Sequence, residues 1–139
     1  MIGDFFSNFR LIVRELRAFA DRELTKHGVR LGQYQLLLVL WEHDGLTPRE
    51  LADAVVVEMP TVTRTVQRMV RDGLVRREAN PDDARSVRIF LLPKGRAVRE
   101  LAERVREASA ERALRGFTPS ERAAFVGFMR RILENLTAE

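Results

Sequence analysis

Between Pro60 and Arg71 the sequence places two kinds of side chain on two sides of one helix. At about 100° per residue, Val62, Thr65, Val66 and Met69 fall on one side, and Arg64, Gln67, Arg68 and Arg71 on the other, with Thr61 and Thr63 at the margins. A guanidinium donates in pairs to phosphate oxygens and guanine edges, and a helix fits the major groove of duplex DNA. The chemistry on offer is therefore contact with base edges and phosphates by Thr61, Thr63, Arg64, Gln67 and Arg68. A second cluster, Asp82-Asp83-Ala84-Arg85 with Arg88 just beyond, lies in turn-forming sequence and would supply further contacts. There Arg85 is placed to enter a minor groove, where narrow A·T tracts concentrate negative potential. Asp83 would hold an arginine, Arg85 or a neighbour, in a fixed rotamer. Taken alone, a basic helix is as readily a solvated face and Asp83-Ala84-Arg85 an ordinary charged turn, so the elements around them decide.

Other chemistry is excluded by composition. The 139 residues contain no cysteine, which removes disulfides, thiolate catalysis, zinc-thiolate sites and thiol redox sensing. The two histidines, His27 and His43, lack the spacing of a metal pair, so no metal and no cofactor are expected. No catalytic triad and no glycine-rich phosphate loop is present, and an enzyme is not expected. No apolar run approaches the roughly 18 residues of a membrane span, and Met1-Ile2-Gly3-Asp4 lacks a basic leader, which together read as a soluble, cytoplasmic protein without membrane contact.

The elements that must carry the two clusters follow from periodicity and capping. Phe5, Phe9, Ile12, Leu16 and Phe19, flanked by Phe6, Val13, Ala20 and Leu24, predict a helix over 4–26. Its apolar face is so wide that it must lie in the middle of a core or against a second chain. After Gly32, a shorter helix through Tyr34, Leu36, Leu37, Leu40 and Trp41 ends before Gly45. Thr47, Pro48 and Glu50 then form a capping box that starts a helix over 48–55, and Pro60 opens the helix that Asp72-Gly73 closes. Leu74 to Glu78 and Ser86 to Leu92 are strand-like around a polar tip. From Pro93 a charged helix runs to about Arg115, and Thr118-Pro119-Ser120-Glu121 caps a last apolar helix. Two short helices followed by a hairpin is the winged helix-turn-helix order, so the expected fold is mainly α with a small β-hairpin wing.

The charge supports the same site. Of 24 basic residues only Lys26 and Lys94 are lysine, the net charge is +4, and the pI is about 10.5. From Pro60 to Arg96 there are nine basic and four acidic residues, a net of +5, which leaves −1 for all the rest. The positive charge is thus confined to the fourth helix and the wing, as expected of a surface that contacts double-stranded DNA.

With those residues in place, the chain resembles the MarR family of bacterial transcription regulators over essentially its whole length. The resemblance rests on Leu51-Ala52, Pro60-Thr61-Val62-Thr63-Arg64, Gly73-Leu74-Val75, Asp82-Asp83-Ala84-Arg85, and Leu92 with Lys94-Gly95. It implies a single winged-helix domain over 1–139, with the helix-turn-helix at 47–73, the wing at 74–92 and dimerisation helices at 4–26, 93–115 and 119–136. It also implies a homodimer with interlocked terminal helices, major-groove reading by Thr61, Thr63, Arg64, Gln67 and Arg68, and minor-groove entry by Arg85. Glu58 stands where the family often has a serine N-cap, Val56 where it has a glycine, and Pro93 where it has a threonine. Many members sense small aromatic or phenolic compounds, for which Arg14, Arg17, His27, Tyr34 and Trp41 offer cationic and aromatic groups; the missing cysteine excludes the thiol switch of peroxide-sensing members.

The function expected is that of a homodimeric repressor on a pseudo-palindromic operator, released by a small aromatic-acid effector. The alternative is a winged-helix dimer that acts mainly in protein–protein interaction, its basic face serving an acidic partner.

Overall fold

A computed structural model describes residues 2–138 of the chain. Among the described residues, six helices and one hairpin follow in the order α1 (Ile2–Thr25), α2 (Leu31–Glu42), α3 (Pro48–Val55), α4 (Met59–Arg71), β1 (Val75–Ala79), β2 (Val87–Leu91), α5 (Pro93–Ala113) and α6 (Pro119–Thr137). The packing gathers into two compact units, one ending at Arg106 and the other beginning at Glu107.

In the first unit the core is made by apolar side chains from every element: Leu24 of α1, Leu37 and Leu40 of α2, Leu51 of α3, Val62 and Met69 of α4, Val75 and Ile89 of the hairpin, and Val98 of α5. Each α4 residue on the apolar side of the sequence pattern is buried or half-buried, while the donor side is exposed. The capping box of α3 forms as expected. The Thr47 hydroxyl accepts from the Glu50 amide at 3.2 Å, and a Glu50 carboxylate oxygen accepts from the Thr47 amide at 3.2 Å. Strands β1 and β2 are antiparallel, in register from Val75 opposite Leu91 to Ala79 opposite Val87. Leu46 adds one bridging residue to the edge, its carbonyl accepting from the Ile89 amide at 2.8 Å.

Several boundaries differ from the sequence reading by one or two residues, and two of them have identifiable reasons. Helix α2 begins at Leu31, before Gly32, because the Leu31 amide donates to Asp21 ten residues upstream at 3.1 Å and the Arg30 amide to Gln33 at 2.9 Å. Helix α4 begins at Met59, one residue earlier than Pro60, because the Glu58 carbonyl already accepts the amides of Thr61 and Val62. Helix α5 buries Gly95, Val98, Ala102 and Val105, so its first half closes the core of its own chain. A Cβ on Gly95 would collide with the Leu74 carbonyl oxygen.

Apolar faces remain uncovered. On α1, Phe5, Phe6, Phe9 and Ile12 are exposed, Phe6 at 65%. In the second unit α6 buries no residue, and Phe128, Leu133 and Leu136 are exposed. Its N-terminus is capped by Thr118, whose amide bonds the Glu121 side chain at 2.9 Å and holds that carboxyl below its usual range.

Candidate nucleic-acid interface

Helix α4 presents Thr61, Thr63, Arg64, Gln67 and Arg68 to the exterior, with Val62, Val66 and Met69 anchored beneath. Arg64, Gln67, Arg68 and Arg71 line an open hollow of about 380 Å³ along the helix. The Thr65 hydroxyl, at the edge, is turned onto its own helix and donates to the Thr61 carbonyl at 2.8 Å. At the helix start Glu58 occupies the N-cap position without a side-chain capping bond and is exposed, so its charge faces outward beside the donors.

The turn leading into α4 is made by Val56 in the left-handed conformation, φ 53° and ψ 50°, with its amide bonded to the Ala52 carbonyl. The chain thus keeps the backbone shape a glycine would give. A β-branched residue there carries a strain of about 1–2 kcal/mol. Because Val56 is 91% exposed, packing does not offset it.

At the wing tip Asp83 and Arg85 are brought together. One Asp83 oxygen accepts from the Arg85 amide at 3.0 Å and from its Nε at 3.3 Å, while the Arg85 side chain stays 91% exposed. Arg88 is placed differently: its Nε donates to Asn80 at 3.2 Å and its Nη2 to Asp82 at 2.8 Å, within the hairpin.

Pairing sorts the remaining cations. Arg71 donates to Asp72, Arg76 to Glu78 while lying 4.7 Å from the centre of the Phe90 ring, Lys94 to the Asp72 carbonyl, and Arg96 to Asp44. Among the described residues of this face, Arg64, Arg68 and Arg77 have no hydrogen-bond or ion-pair partner. Sequence reasoning did not single out Arg77. It lies opposite the buried Ile89, on the ribbon face that carries Val75 and Leu91, yet is itself exposed. Only the strand register reveals this placement. Asp72 joins the base of the assembly: the amide of the buried Gln33, then Arg71, holds its carboxyl below the usual range.

The expected aromatic pair also comes together. Tyr34 and Trp41 lie with ring centres 6.1 Å apart and line a hollow of about 130 Å³ with Arg99 and Arg106 of α5. Trp41 donates to the Gly95 carbonyl at 3.0 Å, and Arg99 pairs with Glu42 at 3.5 Å and Glu103 at 3.8 Å. Arg14 and Arg17 are not in that lining. Arg14 is paired with Glu15 at 2.9 Å on the exposed surface of α1, Arg17 is exposed on the same helix, and His27 lies in the exposed turn after it. The cations of the hollow come instead from α5, more than fifty residues downstream of Trp41.

Two short helices, a donor-bearing second helix and a hairpin with an exposed arginine at its tip define a winged helix-turn-helix regulator. A family model described as the MarR family matches residues 29–87. YybA, an HTH-type transcriptional regulator of Bacillus subtilis (strain 168), is 25% identical over 97% of this chain and 90% of its own length. A crystal structure of MarR superposes with a TM-score of 0.82 at 28% identity, over 95% of this chain and 96% of that one. A MarR-family regulator from Silicibacter pomeroyi is 34% identical, over 94% of this chain and 88% of that one, with a TM-score of 0.66. The chain belongs to the MarR family of DNA-binding transcription regulators, which are not enzymes.

Proposed function

We propose that this protein is a cytoplasmic homodimeric repressor that reads a pseudo-palindromic operator and releases it when a small aromatic or phenolic ligand binds. The observation that carries the reading is the donor face of α4, on which Arg64 and Arg68 stand exposed and unpaired beside Thr61, Thr63 and Gln67. These five side chains would read the major groove, Arg85 with Asp83 behind it would enter the minor groove, and Arg77 would hold the phosphates between. The apolar faces left open on α1 and on α6 support dimerisation, as does the family, whose members act on DNA as dimers. Two α4 helices in successive major grooves require half-sites about one turn, roughly 34 Å, apart.

The hollow of Tyr34 and Trp41 is of the size that accepts one aromatic ring, close to the about 150 Å³ of cavities that bind benzene. Glu42 and Glu103 both pair with Arg99, which leaves Arg106 as the cation of the lining open to an acidic ligand. Arg99 and Arg106 take the role expected of Arg14 and Arg17. Substitution tests the interface: Arg64→Ala and Arg85→Ala should each weaken binding to a selected operator at least about ten-fold, and unchanged affinity would remove both assignments. Titration with salicylate, followed by Trp41 fluorescence and by operator release, tests the ligand. No response in either would remove the hollow as its site.

A further inference from the structure

The wing holds two acid–arginine pairs of different build. Asp83 binds both the amide and the side chain of Arg85, and its carboxylate bonds the backbone, so the Arg85 side chain can leave while the turn stays closed. Arg88 is the opposite case. It starts from β2, 37% exposed, and reaches across the loop end of the hairpin to Asn80 and Asp82. Asn80 is itself the knot of the tip: the same oxygen that receives Arg88 accepts the Asp82 amide at 3.1 Å. The Asn80 carbonyl accepts the Asp83 amide at 3.3 Å, and its amide donates to Ser86, also at 3.3 Å. Both side-chain partners of Arg88 therefore belong to the loop that carries Arg85.

We propose that Arg88, with Asn80 and Asp82, is a positioning clasp that fixes the wing tip and acts on DNA only through Arg85, without touching a phosphate itself. The inference rests on the DNA-reading function proposed above. An arginine that inserts from a loop already fixed loses less conformational freedom on binding, and ordering one long side chain costs about 0.5–1.5 kcal/mol. Removing the clasp from both wings of the dimer should then weaken binding by about 5- to 160-fold, twice that quantity as a ratio. Asp82, an acid at the DNA-facing end of the wing, becomes a residue that strengthens binding.

The test is fluorescence anisotropy of the full-length protein on a selected operator across a salt series, with Arg85→Ala, Arg88→Leu, the double variant and Asp82→Ala. Removing one phosphate-binding cation changes the slope of log K against log salt by about one. The dimer carries two copies of Arg85, so Arg85→Ala is expected to make the slope about 1.8 less steep. Arg88→Leu is expected to lose affinity with an unchanged slope, and to cost less than about two-fold once Arg85 is already alanine. Asp82→Ala, which leaves every cation in place, is expected to weaken binding. A fall in slope for Arg88→Leu, additive losses in the double variant, or tighter binding by Asp82→Ala would each overturn the clasp while leaving the DNA reading intact. If Arg64→Ala, far from the wing, left operator binding unchanged, the DNA reading itself would fail and the clasp with it.

Discussion

Salt dependence offers a quantitative check on the interface, because sequence and structure give different answers. Counted from the sequence, nine cations lie between Pro60 and Arg96 in each protomer, or eighteen in a dimer, and at about −0.9 per phosphate neutralised the slope of log K against log salt would approach about −16. In the folded chain most of those cations already have an acid or a carbonyl. Three are unpaired, Arg64, Arg68 and Arg77, and Arg85 is held by an ion pair its side chain can leave. Four cations per protomer and eight per dimer, each displacing about one counterion whether it ends on a phosphate or on a base edge, predict a slope of about −7, and a loss of affinity of about 10⁴ between 50 and 200 mM salt. Anisotropy with a labelled operator at five or six salt concentrations measures it. A slope steeper than about −12 would mean that the ion pairs open on DNA and that pairing does not select the contacts. A slope shallower than about −3 would mean that α4 and the wing do not lie on the phosphates.

Other outcomes follow from the same structure. Val56→Gly should raise stability by up to about 1.6 kcal/mol, since about 1–2 kcal/mol of left-handed strain is relieved against the roughly 0.4–1 kcal/mol that glycine costs through the unfolded chain; urea midpoints at equal protomer concentration measure the change, and a lower midpoint would refute it. Asp72→Asn should destabilise the protein at pH 7. Because the folded carboxyl is held below its ordinary 3.8, its contribution is present above that value and is lost as pH falls through the lowered one, so the gap between variant and parent should close below about pH 4 in pH-resolved urea unfolding. Phe9→Glu with Ile12→Glu, both on the uncovered face of α1, should shift the sedimentation mass at micromolar concentration from two protomers to one.

The fold was largely legible because its signals are local. The Thr47 and Thr118 capping boxes need only residues three apart, and the two-sided pattern of α4 repeats within one helix, so these elements stand where the periodicity puts them. The donor face was legible for the same reason. What the sequence did not disclose depends on partners far along the chain. Arg96 meets Asp44 across 52 residues, Arg88 meets Asn80 across eight, and Arg99 reaches the Trp41 hollow from α5. Composition counts all these arginines alike, whereas the folded chain divides them into cations that hold the protein and cations that face outward. Arg77 was missed because its side is set by the pairing of β1 with β2, and Arg14 was over-valued because its neighbour Glu15 engages it.

The central claim is that α4 reads sequence in the major groove of DNA as one half of a symmetric pair. Selection of bound duplexes from a random pool tests it most directly, run in parallel with the parent chain and with Arg64→Ala. The parent should enrich a pseudo-palindrome whose half-sites are about one helical turn apart, with a guanine in each half-site that the variant no longer demands. A pool that stays random with the parent, or an identical motif from both proteins, would contradict the account.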